Sequence, residues 1–278
     1  MNSFGPRSPF SMPPVTKSIL LVTVIVFLAD LGSERFLHTD AMVRYMALFR
    51  VQSPLFIPTQ FLTHIFMHGS LSHLFFNMFG LFMFGRILEN IWGGKKMLIF
   101  YLVTGIGAAL MQSGITYVQM QKMISLADTF ASNPSHQVFS DYVDHYLIKG
   151  SSQYSEIMSF AQSWLYAPDN MSFVPRAKEY VQVVMYENLN IPMVGASGAI
   201  FGLLIAFAMM FPDVELMLIF LPVPIKAKYF VPVYALIELV FGVAGFSWDN
   251  VAHFAHLGGA LVGFIIVRYW KRKQFNNY

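Results

Sequence analysis

The sequence predicts an all-α, polytopic membrane protein: a six-transmembrane-helix bundle with a long extracytoplasmic insert between helices three and four. Three observations carry this reading. Of the 278 residues, 56% are apolar and only 12% are charged, with a mean hydropathy of +0.54, whereas a soluble domain carries about 25% charged residues. Apolar runs of helical length recur along the chain, and six spans of about 20 residues would occupy roughly 120 positions. One long polar stretch interrupts the series. The charge deficit excludes a disordered chain, a nucleic-acid-binding tail and an ordinary cytosolic enzyme. The absence of cysteine excludes disulfides, thiolate metal sites and thiol nucleophiles.

Residues 1–17 are Pro-rich and weakly charged, and read as a cytoplasmic N-terminal tail. The first span runs from Ser18 to about Gly32. No small-x-small cleavage site follows it, so it reads as an anchoring helix rather than a leader. Further spans lie near Leu71–Ile91, Met97–Gln112, Ser197–Phe211, Tyr229–Gly245 and Val251–Tyr269. Residues 18–112 thus hold helices one to three, 191–270 hold helices four to six, and 271–278 form a short tail.

Basic residues set the orientation. Arg7, Lys17, Arg86, Lys95, Lys96, Lys226, Lys228, Arg268, Lys271, Arg272 and Lys273 crowd the short segments on one side, while those on the other side are spread over two long loops. This asymmetry puts both termini in the cytoplasm. Helices two, four and six then begin at the outer face and run inward. The insert, 113–190, is rich in Ser, Gln, Tyr and Asp, and the pattern from Pro175 to Tyr186 predicts a helix opening on proline. Its plainest role is a spacer or an oligomer contact, with substrate admission as the alternative.

Three stretches carry chemistry. Gly195-Ala-Ser197-Gly198 opens helix four. Ser197 there is either a small packing residue beside Gly198 and Gly202, or a nucleophile where unpaired backbone N–H groups can also bind an oxyanion. His253-Phe-Ala-His256-Leu-Gly-Gly259 opens helix six. His256 is expected about six residues into that helix, on the order of 9 Å along its axis, where an ionisable group faces the bundle interior. Glycines on helices four and six permit close packing that would bring Ser197 beside His256, whose imidazole could take the hydroxyl proton. The third stretch, His64 to Asn77, leads into helix two. His73 and Asn77 are four apart and share one face, so both can donate to an acyl-transfer intermediate or simply satisfy each other.

His64/His68 and His253/His256 also have ligand spacing, but no cysteine, no H-E-x-x-H and no adjacent carboxylate in sequence accompanies either pair, so no metal is expected. Glu238, Glu89 and Asp30 read as packing or helix-terminus acids.

Together these residues resemble the rhomboid family of intramembrane serine proteases. The shared pattern is His64, His68, His73 and Asn77, then Gly195 to Gly198, then His256, Gly259 and Gly263, in family order. The resemblance covers roughly Ile19–Gln112 and Met193–Trp270. It implies Ser197 as nucleophile and His256 as its base, a dyad without an acidic third member. It further implies an oxyanion hole from His73, Asn77 and the Ser197 N–H, and a structural role for Glu89. The loop Phe246–Asn250 with helix five would form a cap and lateral gate. The implied partners are single-span membrane-protein substrates and the lipid bilayer, with no cofactor and no nucleic acid. Two departures stand out. Phe201 replaces a tyrosine that stacks on the catalytic histidine in many relatives. Thr59-Gln60 replace a Trp-Arg that anchors the first outer loop. A non-catalytic rhomboid-like binding or chaperone protein, and a transporter motivated by Glu238, are the competing readings. A bacterial inner membrane is the expected location.

Overall fold

Helix α1 (Pro14–Leu37) starts on proline, where the missing N–H removes no helical hydrogen bond. The computed structural model describes residues 12–218, 221–245 and 251–275. After α1 come two short helices, α2 (Ala41–Met46) and α3 (Gln60–Thr63), and a 3-10 turn at His64–Phe66. Helix α4 (Leu71–Gly80) passes through a π-helical stretch at Leu81–Gly85 into α5 (Arg86–Trp92). Helix α6 (Gly94–Ser132) follows, then α7 (His136–Tyr146), α8 (Tyr154–Leu165) and α9 (Val174–Leu189). The chain returns through α10 (Ser197–Met210), a hairpin of β1 (Glu215–Leu218) and β2 (Leu221–Lys226), and ends in α11 (Ala227–Ala244) and α12 (His253–Phe275).

The chain is mostly helical, and four of the described helical segments are long and apolar enough to cross a membrane: Pro14–Leu37, Leu71–Trp92, Gly94–Ser132 and Ala227–Ala244. Ser197–Met210 is apolar but shorter. Helix α12 is 23 residues long, but His253, His256 and a basic C-terminal turn dilute its hydropathy.

The structure departs from the expected fold at two places. The fold is not strictly all-α: β1 and β2 pair antiparallel, with Glu215 opposite Lys226 and Leu216 opposite Ile225. A continuous apolar run bounded by Glu215 and Lys226 pairs with itself there, and Pro222 and Pro224 prevent it from continuing as helix. Helix three also does not stop at Gln112. Good helix formers with apolar positions at helical spacing (Met120, Met123, Ala127, Phe130) carry α6 on to Ser132.

The chain divides into two units. One holds residues 1–48, 57–112 and 193–278. Its core centres on Ile65, Leu81, Leu88, Phe100, Tyr101 and Leu203. Ile25 and Leu28 on α1, and Val233, Leu236 and Val243 on α11, are exposed apolar side chains of the kind lipid covers. At the start of α1, Glu89 accepts hydrogen bonds from the backbone N–H groups of Val15 (2.9 Å) and Thr16 (2.6 Å) and from the Thr16 hydroxyl (2.7 Å). That carboxylate satisfies donors which a helix N-terminus leaves unpaired. The first loop has its own anchors despite lacking Trp-Arg. Gln60 donates to the Arg44 carbonyl (3.0 Å) and accepts from the Ile57 N–H (3.1 Å), and the Thr63 hydroxyl donates to the Met46 carbonyl (2.8 Å).

The other unit, residues 49–56 and 113–192, is a helical module with its own core of Met123, Phe130, Phe139, Tyr142, Trp164 and Val184. Helix α9 includes the helix expected from Pro175. Arg176 pairs with Glu156 (2.9 Å) and Glu179 (2.6 Å) on its surface.

Candidate active site

Ser197 is the first residue of α10, so its N–H and those of the next two residues have no partner within the helix. The loop leading to it is tied down at two places. Leu48 and Met193 exchange both backbone hydrogen bonds (2.9 and 2.8 Å), and the Gly195 N–H donates to the His64 carbonyl (3.0 Å). Gly195 has φ +126°, and a Cβ there would stand 2.7 Å from the His73 ring. Only glycine admits both the backbone conformation and that approach.

Helix α4 supplies the polar groups opposite this loop. The Ser70 hydroxyl caps it by accepting from the His73 N–H (3.1 Å), which fixes the first turn and the position of His73. One turn on, the side chain of Asn77 is buried, and its Nδ2 has no hydrogen-bond partner. That nitrogen stands 3.9 Å from where a Gly195 Cβ would be. A buried amide donor left unpaired is costly, and here it lies beside the loop that delivers Ser197. The two residues do not satisfy each other as a packed polar pair would. His68 packs edge-on against His73, with centroids 5.0 Å apart. Burial pushes the His64 ring down to about 4, and burial with the nearby His73 pushes His68 down to about 4. The His64 Nδ1 donates to the Gln60 carbonyl (2.9 Å).

Helices α10 and α12 meet backbone to backbone. A Cβ on Gly259 would collide with the Gly198 carbonyl oxygen, and one on Gly263 would come within 2.9 Å of the Gly202 oxygen. A Cβ on Gly202 would stand 2.7 Å from the Thr104 side chain of α6. This contact carries His256 next to α10, where its ring stacks flat on Phe201 with centroids 4.2 Å apart and planes 8° from parallel. Phenylalanine thus keeps the stacking role expected of the family's tyrosine. The helix begins at His253, so His256 lies in the first turn, about 4.5 Å along the axis. It is shallower than the sequence suggests because residues 251–252 are not helical.

His256 has a partner on α11. Its Nδ1 is 2.8 Å from Glu238 Oε2, and His253 Nδ1 is 2.6 Å from the same oxygen. Glu238 is neither a packing acid nor a helix-terminus acid, and a carboxylate does stand beside this histidine pair. The pairing joins α11 to α12 across a loop, so sequence adjacency gave no hint of it. The legible signal was a lone buried acid within an apolar helix. Among the described residues, these three also form the one group whose donors lie within 4.8 Å of one another, as a metal site would need. The hydrogen bonds between them use both Nδ1 atoms and converge on one carboxylate oxygen.

A cavity of about 20 Å³ borders Ser197, lined also by His64, Gly105, Gly195, Ala252 and Ala255. That is room for about one water molecule. The expected cap loop Phe246–Asn250 lies outside the described residues.

A family model described as the Rhomboid domain matches residues 58–127 and 146–273. It therefore enters the insert from both sides and breaks across α7. An uncharacterised mitochondrial rhomboid protein of Schizosaccharomyces pombe is 29% identical over 76% of this chain and 51% of its own length. The chloroplastic rhomboid-like protein 11 of Arabidopsis thaliana is 25% identical over 78% of this chain and 53% of its own. The mitochondrial rhomboid protein 1 of Saccharomyces cerevisiae is 38% identical over 74 residues, 26% of this chain and 20% of its own. The chain thus spans about half or less of the length of these relatives. All three are named for organelles, so the expected bacterial inner membrane finds no support in them, whereas the long apolar helices support an integral membrane protein.

Proposed function

We propose that this chain, which belongs to the rhomboid family, is an intramembrane serine endopeptidase that cuts single-span membrane proteins near the outer edge of the bilayer. On this reading the four long apolar segments, α10 and α12 make up six spans, with both termini on the basic side. The observation that carries the site assignment is the unpaired, buried Asn77 amide, held beside the loop that places Ser197 at a helix N-terminus.

In the reaction, the Ser197 hydroxyl gives its proton to His256 Nε2 while Oγ bonds to the scissile carbonyl carbon. The resulting oxyanion accepts hydrogen bonds from Asn77 Nδ2, the His73 ring and the Ser197 N–H. Collapse breaks the C–N bond, and His256 returns the proton to the departing amine. Water then attacks the acyl-enzyme by the same proton path, restoring the serine. Such hydrolysis requires no cofactor.

The test uses the full chain in lipid nanodiscs with transmembrane-segment substrates. Ser197→Ala should lower kcat by about 10³-fold or more without lowering Tm and should abolish fluorophosphonate labelling, and His256→Ala, which also strips a donor from buried Glu238, should show a comparable loss of kcat on its folded fraction. Cleavage by Ser197→Ala at the wild-type rate would overturn the assignment.

A further inference from the structure

The proposed hydrolysis uses only Ser197, His256 and the oxyanion donors, yet the base is not alone. Glu238 is 5% exposed and His256 is 8% exposed. An ionised carboxylate so deeply buried is strongly unfavourable unless donors compensate it. Two imidazole Nδ1 atoms converge on its Oε2, at 2.8 Å from His256 and 2.6 Å from His253. An ionised carboxylate accepts only, so each Nδ1 facing it carries the hydrogen. With Nδ1 protonated, the lone pair of the neutral His256 ring is on Nε2, the tautomer a general base requires. Phe201 fixes the plane of that ring from the α10 side but offers no hydrogen bond. Orientation about the ring's own axis must therefore come from elsewhere, and Glu238 supplies it.

We propose that Glu238 is a positioning residue that completes a Ser197–His256–Glu238 relay, with His253 anchoring the carboxylate on its other side. Glu238 accepts the Nδ1 hydrogen throughout and stays ionised. It stabilises the imidazolium formed when His256 Nε2 takes the serine proton, and it transfers no proton itself. The relay rests on the serine-protease reading above. It differs from the dyad that the family resemblance implies, because α11 of this chain presents an acid to the base. His253 holds the carboxylate against Glu238 side-chain rotation, so its loss should weaken the relay without removing it.

Nanodisc-embedded wild type, Ser197→Ala, Glu238→Gln, Glu238→Asp and His253→Ala are compared for kcat and KM on a transmembrane-segment substrate. Fluorophosphonate labelling rates are measured on the folded, monodisperse fraction of each. Glu238→Gln can offer its amide N–H to Nδ1 and so favour the wrong tautomer. It should lose about 10²-fold or more in kcat and in labelling rate, with KM unchanged. Glu238→Asp, which keeps the charge, should recover at least about tenfold over Gln, and His253→Ala should fall between Gln and wild type. If Ser197→Ala is silent but Glu238→Gln keeps kcat within about threefold of wild type, the relay is overturned while the protease reading stands. Aspartate no better than glutamine also overturns it. Full activity in Ser197→Ala overturns both readings.

Discussion

Phe201 lies flat against His256, its ring 4.2 Å from the imidazole and within 8° of parallel. Tyr234 also packs on the phenyl ring, tilted to it by 46° with centroids 5.0 Å apart. The stack fixes the imidazole plane without contributing any polar group. Phe201→Tyr should therefore keep kcat within a few-fold, while Phe201→Ala, which frees the ring, should lower kcat by about 10-fold or more through misplacement of the base. Cleavage kinetics on the two variants check this, and an unaffected Phe201→Ala would refute it.

Asn77 should separate activity from stability. Its Nδ2 is buried and unpaired in the resting protein, so it contributes nothing there to set against its desolvation. Asn77→Ala should lower kcat by about 10²–10³-fold while Tm stays level or rises. A structural asparagine would behave in the opposite way, losing Tm first. Thermal melts and kinetics on the same preparation distinguish the two.

Gly259→Ala should act through the fold. Its methyl group would meet the Gly198 carbonyl oxygen, a backbone atom that no rotamer change can move aside. Overpacking typically costs about 1–3 kcal/mol, and this contact should reach at least the top of that range. The expected result is a large fall in Tm, or failure to accumulate. Gly32→Ala is the control, because a Cβ there meets nothing within 4 Å.

Acid should destabilise the first loop. His64 and His68 are held neutral by burial, each ring at about 4 against an ordinary 6.5. Unfolded, each binds a proton near pH 6.5, but folded only near pH 4. The unfolded chain therefore holds more protons between these values, and stability drops as pH falls through the window. Each group contributes a slope of up to about 1.4 kcal/mol per pH unit there, and none above the window. Tm measured against pH should be flat near pH 7.5 and should fall below 6.5. His64→Asn should reduce that acid slope, and an unchanged slope would show that the ring titrates elsewhere.

Local pattern makes much of the candidate site's residue set legible. The i, i+4 spacing of His73 and Asn77, the small residues around Ser197 and the glycines after His256 are all consequences of helical periodicity, which a sequence displays directly. The Glu238 pairing was hidden because a hydrogen bond between α11 and α12 leaves no periodic trace. Helix α6 runs past Gln112 because the change from an apolar to a polar surface there does not end a helix, and the isolated Gly114 does not break it before Pro134. The hairpin leaves an equally weak trace in the sequence. Its run, Glu215 to Lys226, is short and lies between two longer apolar helices. In the insert, the aromatic core around Trp164 is assembled from α6, α7, α8 and α9, and no single one of these segments displays it.

The glycine contact between α10 and α12 also limits how this chain can change over time. Most positions can drift through neighbours of similar size, each step nearly neutral. At Gly259 and Gly263 the smallest available step, one methyl group, already comes closer than 3.0 Å to the backbone of α10. No gradual path leads away from glycine at these positions unless the partner helix moves in the same event. New specificity in this lineage would have to arise in the loops and in the insert, while the joint that carries Ser197 and His256 stays as it is.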